Sequence, residues 1–522
     1  MSCCIKVGII HSELTGTYPH HKLDSRLSFP IPNAFWIKKK RRLFNWDGKH
    51  HFIRLSADKA VFPTGLLSKV CKLLKKYDCP YEIIRKDTPA WTSQLDKATY
   101  NNSRNNLYPD QREVVKLALR KQRGVLELAT GWGKSRLISS IAESLFHAGC
   151  PLTLIILHKE KLLKQTSQDL QELTGLPIGI IGEDVDGIRK KEVLPITIAM
   201  IQTLYAHKDE DWVKDLLQRT GALIFDEGHH ANAKTWKTIA SMTPNAPVRL
   251  ALSGSIFDEN DHIGNFELMG VTGPLLKRVT AQDMLSLTDH DGNPRIAWPS
   301  VKMYTISVPI LSPDIPYATA YKTGVTENLV MAKLVIHLTD KYAKRSRKIL
   351  TLVEHRKHLD LLTDAMGLRD YPFTYGFATG IDTKGGDIAL GDFKQDRIQN
   401  LLATTTLEEG INVPAIDVLI RGGGLKTLNK TKQQIGRALR VSPGKKPPII
   451  IDFLFTNHPI LQSHAEKRLL DYKKLGWSVT TYSAQHVAKI LGLNYFTKNP
   501  TIPKIISKTD DLEEFLKDTL GM

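Results

Sequence analysis

The chain has 522 residues, of which 42% are hydrophobic and 24% charged. That balance excludes wholesale disorder, and at about 150 residues per domain it leaves room for three or four folding units. Lysine and arginine number 72 against 54 aspartate and glutamate, a formal charge of +18, which sets up a positive field suited to polyanions, nucleic acid first among them. No apolar run approaches the roughly 18 residues that span a bilayer. Lys6, His11 and Glu13 interrupt the N-terminus before a signal-like core could form, so neither secretion nor membrane insertion is expected. The five cysteines are odd in number and show no repeated CxxC pair, which indicates neither a disulfide framework nor a zinc site and fits a reducing cytoplasm.

Residues 1–95 are basic, aromatic-rich and dense in short β-like runs. Their centre, Phe35 to Gly48, carries the cations Lys38, Lys39, Lys40, Arg41 and Arg42 between aromatics. It reads as a strand and turn offered to a phosphate backbone, with Asp47-Gly48 as the hairpin turn; a solvated edge strand protected by lysines is the bland alternative. From Leu66 to Tyr77 the spacing predicts a helix with Leu66, Val70, Leu73 and Leu74 on one face. After about residue 104, short apolar runs alternate with amphipathic stretches. Leu152–Leu157, Ile196–Met200 and Ala222–Phe225, then Ile349–Val353, Leu401–Thr404, Val418–Ile420 and Pro448–Asp452, have the character of strands buried on both faces of parallel sheets. Two sets, parted by the turn-rich segment around Asp289, Gly292, Pro294 and Pro299, predict two α/β lobes. Beyond Pro459 the chain reads as mostly helical, with a Lys-rich segment from Lys467 to Lys474.

The segment Gly124 to Ser135 has the order strand, glycine turn, helix start, and ends in Thr130-Gly131-Trp132-Gly133-Lys134-Ser135. Gly131 and Gly133 let backbone N–H groups approach phosphate oxygens, and the helix adds its positive end. Lys134 is positioned to bridge the outer phosphates and Ser135 to ligate Mg²⁺, although Leu128 stands where the strict pattern has glycine. Farther along, the run Ala222–Phe225 delivers Asp226-Glu227-Gly228-His229-His230. Asp226 can hold Mg²⁺, and Glu227 can orient and deprotonate an attacking water. His229 is placed to sense nucleotide and neighbouring loops. The pair of motifs predicts an ATPase with ATP and Mg²⁺ as ligands. Two readings compete for Trp132, packing within the lobe and stacking near the nucleotide.

With these residues in view, the chain resembles the superfamily-two helicases of the DExH type. Tyr108-Pro109-Asp110-Gln111-Arg112 looks like the segment whose glutamine reads the adenine. Leu157 to Gln165, with Lys159, falls at the first strand-contacting motif, and Ile201-Gln202-Thr203-Leu204 is similar to the next. Leu252-Ser253-Gly254-Ser255 resembles the motif coupling ATP state to lobe movement, and Leu352-Val353-Glu354-His355 sits at the first motif of the second lobe. Ala403 to Pro414, with Thr405 and Gly410, looks like the motif touching both ATP and the tracked strand. Gln433 to Arg440 is similar to the arginine-finger helix, where Arg437 and Arg440 share one face by their spacing.

Within the superfamily the chain resembles the bacteriophage UvsW group, with XPB more distant. Phe44 to Lys49, Phe62 to Leu67 and the serine-glycine-serine form of the coupling motif carry that likeness. The resemblance implies an α/β fold of two tandem RecA-like lobes, divided as an accessory, DNA-binding region 1–95, an ATP-binding lobe 96–290, a second lobe 291–460 and a helical extension 461–522. It implies that ATP binds between the lobes and that the track contacts include Lys159, Gln202, Thr203 and Thr405. It also implies a monomer on branched or forked DNA, acting in a bacterial host cytoplasm if viral, in recombination, repair and replication. Two rivals stay open here: the same motor on RNA or plain duplex, and a nucleotide-dependent binding protein that unwinds nothing.

Overall fold

Each apolar run named above lies in a parallel strand with both faces covered. The computed structural model describes residues 3–493 apart from 42–45, 57, 86–87, 98–104, 130, 159, 184–188, 229–233, 255, 258–260, 281, 296–298, 368–374, 379–382, 405–415 and 425–447. The chain forms two compact units, Met1–Thr280 and Ala281–Met522. Among the described residues, no helix is long and apolar enough to cross a membrane.

Among the described residues, the first unit holds a large sheet, a smaller one and a two-stranded ribbon. Its large sheet runs Arg189–Lys191, Gly179–Glu183, Ile196–Met200, Thr153–Leu157, Ala222–Asp226, Val248–Ser253, Arg123–Leu128, Leu275–Val279. All neighbours are parallel except the Arg189–Lys191 ribbon. Thr153–Leu157 and Ile196–Met200 are buried at every position, which is why they are apolar but for one threonine each rather than alternating. The smaller sheet has the order Arg54–Leu55, Lys59–Pro63, His11–Gly16, Cys3–Val7, Tyr81–Arg85. Helix Leu67–Lys76 covers it with Val70, Leu73 and Leu74 inward, as its spacing predicts.

That smaller sheet shares its core with the motor lobe. Phe266, on helix His262–Val271, belongs to the same buried cluster as Ile5, Leu14, Phe62 and Leu74. The Gly65 backbone lies so close to this helix that an added Cβ would meet the Met269 carbonyl at 1.9 Å. Arg123 adds a polar staple: its guanidinium donates to Ile9 on one side and to Val271 and Thr272 carbonyls on the other.

The cationic run departs from the sequence reading. It is an α-helix, Ala34–Arg41, not a strand. Lysine and arginine have good helix propensity, and Asn33, with φ of 59°, redirects the chain into it. Asp47-Gly48 bends the chain but is not the hairpin turn expected, since among the described residues a helix rather than a strand precedes it: Gly48 has φ of 82°, and Asp47 accepts from the Lys49 N–H at 3.0 Å. It joins the helix to strand Lys49–His51, which pairs antiparallel with Ser28–Pro30.

Among the described residues, the second unit is built on one all-parallel sheet of seven strands: Tyr375–Ala378, Asn400–Thr404, Ile349–Val353, Val418–Arg421, Ile449–Phe455, Ser300–Ile306, Ser478–Tyr482. The mostly helical extension therefore also contributes an edge strand, Ser478–Tyr482, between helices Pro459–Lys474 and Ala484–Leu491. In the Lys-rich segment, Arg468 is wholly buried and is not a surface grip. It pairs with Asp452 at 3.1 Å, where Arg421 at 2.7 Å and the Tyr472 hydroxyl at 2.7 Å converge. Burial alone would raise the Asp452 carboxyl, but Arg468 and Arg421 hold it down at about 2.

Candidate nucleotide site and nucleic-acid contacts

Three adjacent parallel strands of the first unit end at one edge. Arg123–Leu128 leads into the phosphate loop, Val248–Ser253 ends in the coupling motif, and Ala222–Asp226 ends in the acidic pair. Ligands of open parallel sheets bind at such carboxyl ends. Register places Asp226 beside Leu252 and Ser253 beside Glu127, so residues far apart in sequence become neighbours.

The loop itself is backbone-built. Gly131 and Gly133 have φ of 90° and 105°, the left-handed region that glycine enters without strain. A Cβ on Gly133 would also meet Gln111 Nε2 at 2.5 Å. Helix Lys134–His147 starts directly after it, so its positive end faces the loop, with Ser135 exposed on the first turn.

Gln111 is 1% exposed. Its Oε1 accepts from the Tyr108 N–H at 3.0 Å and its Nε2 donates to the Trp132 carbonyl at 2.5 Å. The amide thus ties the phosphate loop to the start of helix Pro109–Lys121; the resemblance assigns this residue to the adenine. Trp132 is 1% exposed and its indole N–H donates to Asp110 at 3.0 Å. Of the two readings, this geometry supports packing.

Glu227 is the centre of the arrangement. Its Oε1 accepts from Lys134 Nζ at 2.9 Å, its Oε2 from the Ser253 hydroxyl at 3.0 Å, and its N–H donates to Asp226 Oδ1 at 3.0 Å. These bonds hold a non-glycine residue at φ of 53°, a conformation that costs of the order of 1 kcal/mol. Gly228 must follow it, because a Cβ there would meet the Ala251 Cβ at 2.7 Å. Lys134, the glycine amides and the helix end form a cradle for a polyphosphate. The Ser135 hydroxyl and the Asp226 carboxylate are hard oxygen donors of the kind Mg²⁺ takes.

Two further motifs meet on the same sheet edge. Gln202, exposed on helix Ile201–Ala206, donates through Nε2 to the His158 carbonyl at 2.8 Å. This bond ties the loop after Thr153–Leu157 to Thr203 and its neighbours. No periodicity signals it; it follows from the adjacency of the two strands.

Residues 104–258 match the family described as the res subunit of type III restriction enzymes. Residues 330–442 match the helicase conserved C-terminal domain. One match carries the cradle, the other the second lobe. The chain belongs to the superfamily-two helicases.

This helicase is 23% identical over 461 residues to the ATP-dependent DNA helicase uvsW of Enterobacteria phage T4, covering 83% of this chain and 86% of that protein. It is 22% identical to the DNA 3'-5' translocase XPB2 of Sulfurisphaera tokodaii, over 63% of this chain and 77% of the relative. The crystal structure of phage T4 UvsW aligns with 93% of this chain and 99% of its own at 18% identity, with a TM-score of 0.44. An HsdR-subunit fragment of a type I restriction enzyme from Vibrio vulnificus reaches 0.53 at 15% identity, over 87% of this chain and 83% of its own; this likeness concerns fold alone. With both motor domains, the protein is an ATP-dependent helicase that uses ATP and binds nucleic acid.

The structure brings Gly131, Gly133, Lys134, Asp226, Glu227, Ser253 and Gly254 to one edge, with Gln111 and Trp132 behind the loop. Thr130, Lys159, His229, Ser255, Thr405, Gly410, Gln433, Arg437 and Arg440 lie outside the described residues, as does Arg42. Lys38, Lys39, Lys40 and Arg41 belong to the separate helix Ala34–Arg41. In the second unit Glu354 accepts from the Tyr321 hydroxyl, which also accepts from the Gly424 N–H at 3.1 Å. Sequence reasoning missed this Tyr321 anchor, which lies in no motif, and the Asp110 partner of Trp132, which lies in the Tyr108–Arg112 motif without any sign of that contact.

Proposed function

We propose that this helicase remodels branched DNA, such as forks, four-way junctions, D-loops and R-loops, by hydrolysing Mg²⁺-bound ATP. The observation that carries the motor reading is the grip on Glu227 from two sides, by the phosphate-loop Lys134 and by Ser253 of the coupling motif. DNA as the polymer, and a 3′ to 5′ direction, are supported by what the relatives are called, an ATP-dependent DNA helicase and a DNA 3'-5' translocase. The charge of +18 suits a phosphate track.

The chemistry follows from the residues. Lys134 exchanges its Glu227 carboxylate for the outer phosphates, which frees one oxygen of Glu227 to take the proton of an attacking water. Ser253 keeps hold of the other oxygen, fixing the orientation of the base and linking it to the strand that ends in the coupling motif. Ser135 and Asp226 would hold Mg²⁺, which supplies charge neutralisation on the phosphate oxygens when bound. Arg437 and Arg440 are assigned to the charge that develops on the transferred phosphoryl group, and Thr203, Thr405 and the backbone near Lys159 to the sugar-phosphate track.

The test is ATP-dependent processing of a labelled panel: fork, four-way junction, R-loop, plain duplex and RNA duplex. Branched DNA should be processed best; preference for RNA duplex or plain duplex would overturn the substrate assignment. Glu227→Gln should lower DNA-stimulated turnover by roughly 10²- to 10⁴-fold, the usual worth of a general base, and Lys134→Ala should abolish it by removing the cation on the outer phosphates. Near-normal turnover in either variant would overturn the motor assignment.

A further inference from the structure

The first unit exposes two large aromatics side by side. Phe35 is 71% and Trp36 64% exposed, on helix Ala34–Arg41. Their ring centroids lie 5.5 Å apart at 81°, and Lys39 Nζ stands 5.9 Å from the Trp36 ring centre. Lys39 and Lys40 are exposed, while Ala34, Ile37 and Lys38 are half-buried. By the three- and four-residue spacing of a helix, Phe35, Trp36, Lys39 and Lys40 form one outward face. The fold sets the opposite side: Ala34 sits against Gly48, where an added Cβ would lie 3.1 Å from the Ala34 Cβ.

A patch that offers aromatic faces with cations and no acidic residue on its helix selects a partner that is both anionic and flat. Unpaired nucleobases on their phosphate chain have both properties, and an aromatic platform with nearby cations is how proteins hold them without sequence preference. Intact duplex offers the phosphates but keeps its base faces stacked.

The patch is also anchored to the motor. Strands Ser28–Pro30 and Lys49–His51, which flank the helix, pair with Phe29 opposite His50. Phe29 packs on His262 and Phe266, with centroids 6.0 and 4.6 Å away. Both belong to helix His262–Val271, the next described helix after the strand that ends at Ser253. We infer that Phe35 and Trp36 are a stacking platform for unpaired bases where a branch opens, with Lys39 and Lys40 on the adjoining phosphates. This deepens the reading given under Proposed function and rests on it.

The experiment uses the full chain, wild type and three variants: Phe35→Ala/Trp36→Ala, Phe35→Leu/Trp36→Leu and Lys39→Gln/Lys40→Gln. Equal thermal unfolding midpoints establish that these surface changes leave the fold intact. Binding is measured to forked DNA with unpaired arms and to blunt duplex across a salt series. Stacking is worth about 1–3 kcal/mol per base, so the alanine pair should lose roughly 10- to 100-fold on the fork and little on blunt duplex, with an unchanged salt slope. The leucine pair should be impaired as well, because apolar bulk does not replace a ring. The glutamine pair should lower the salt slope by about 1 to 2. Wild-type fork affinity in either aromatic variant, or an equal loss on fork and blunt duplex, would overturn this inference and leave the motor reading standing. Failure of the wild type to bind any of the DNAs would overturn both. Vesicles of phosphatidylglycerol captured by wild type but not by the alanine pair, with fork binding equal in both, would reassign the patch to lipid and overturn it too.

Discussion

At Glu227 the chemistry and the backbone constrain each other. Its carboxylate is shared between Lys134 and Ser253, and its φ of 53° is maintained by those bonds. In the mechanism we propose, Ser253 acts on turnover through Glu227 as a positioning residue. A hydrogen bond to a charged group contributes about 1.5–3 kcal/mol, so Ser253→Ala should lower kcat roughly 10- to 100-fold while leaving KM for ATP near its original value. Steady-state hydrolysis at saturating DNA checks this; an unchanged kcat would remove Ser253 from the machinery. The residues of this corner are readable in the sequence because phosphate binding demands glycines, a lysine and a helix start in fixed order. Their partners are not. Gln111 belongs to a recognisable motif, yet nothing in that motif says that its amide will be spent on Tyr108 and Trp132.

Among elements, strands buried on both faces are the easiest to read, since a five-residue run that is apolar but for one threonine has few other homes. Thr153–Leu157, Ile196–Met200 and Ile349–Val353 are examples. The helix Ala34–Arg41 is the hardest. Its outward face carries the aromatics Phe35 and Trp36 while the half-buried side has only Ala34, Ile37 and Lys38, which inverts the usual amphipathic pattern, so periodicity has nothing to report. The contact between the small sheet and helix His262–Val271 is equally silent, because it joins residues more than two hundred positions apart. Phe266 is 7% exposed at its centre, ringed by Phe29, Phe52 and Lys69. Phe266→Ala should destabilise the first unit by about 3–5 kcal/mol, seen as a lower denaturant midpoint for that unit. A shift below about 1 kcal/mol would mean the two parts are only loosely joined. Removing residues 1–95 outright would bare the same ring, so point changes are the better probe of that region.

Over the whole molecule, two parallel sheets were foreseeable from two successive sets of strand-like runs, but the buried polar features that lock the second unit were not. Asp452 with Arg421 and Arg468 is assembled from three elements. His358 is another case. Burial, with His355 adding repulsion, pushes its imidazole down to about 4 from an ordinary value of 6.5. Between those values the unfolded chain binds the proton and the folded unit does not. His358 thus places no burden on the second unit above pH of about 6.5, and stability is lost as pH falls toward 4, by about 3 kcal/mol in full. Unfolding measured from pH 7 to pH 4.5 should show this decline, and His358→Leu should flatten it. An equal decline in both proteins would assign the acid sensitivity elsewhere.

The sheet order of the second unit bears on how the motor can be cut. The segment matching the helicase C-terminal family, residues 330–442, contains only four of its seven strands; Ser300–Ile306, Ile449–Phe455 and Ser478–Tyr482 fall outside. A fragment trimmed to that segment would lack the strand that pairs with Val418–Arg421 and would leave a raw hydrogen-bonding edge in solution, an invitation to aggregate. Trimming just past Phe455 is little better, since Tyr304 would lose the Tyr482 ring stacked on it at 4.5 Å. A soluble half-motor should begin before Ser300 and end no earlier than Leu491.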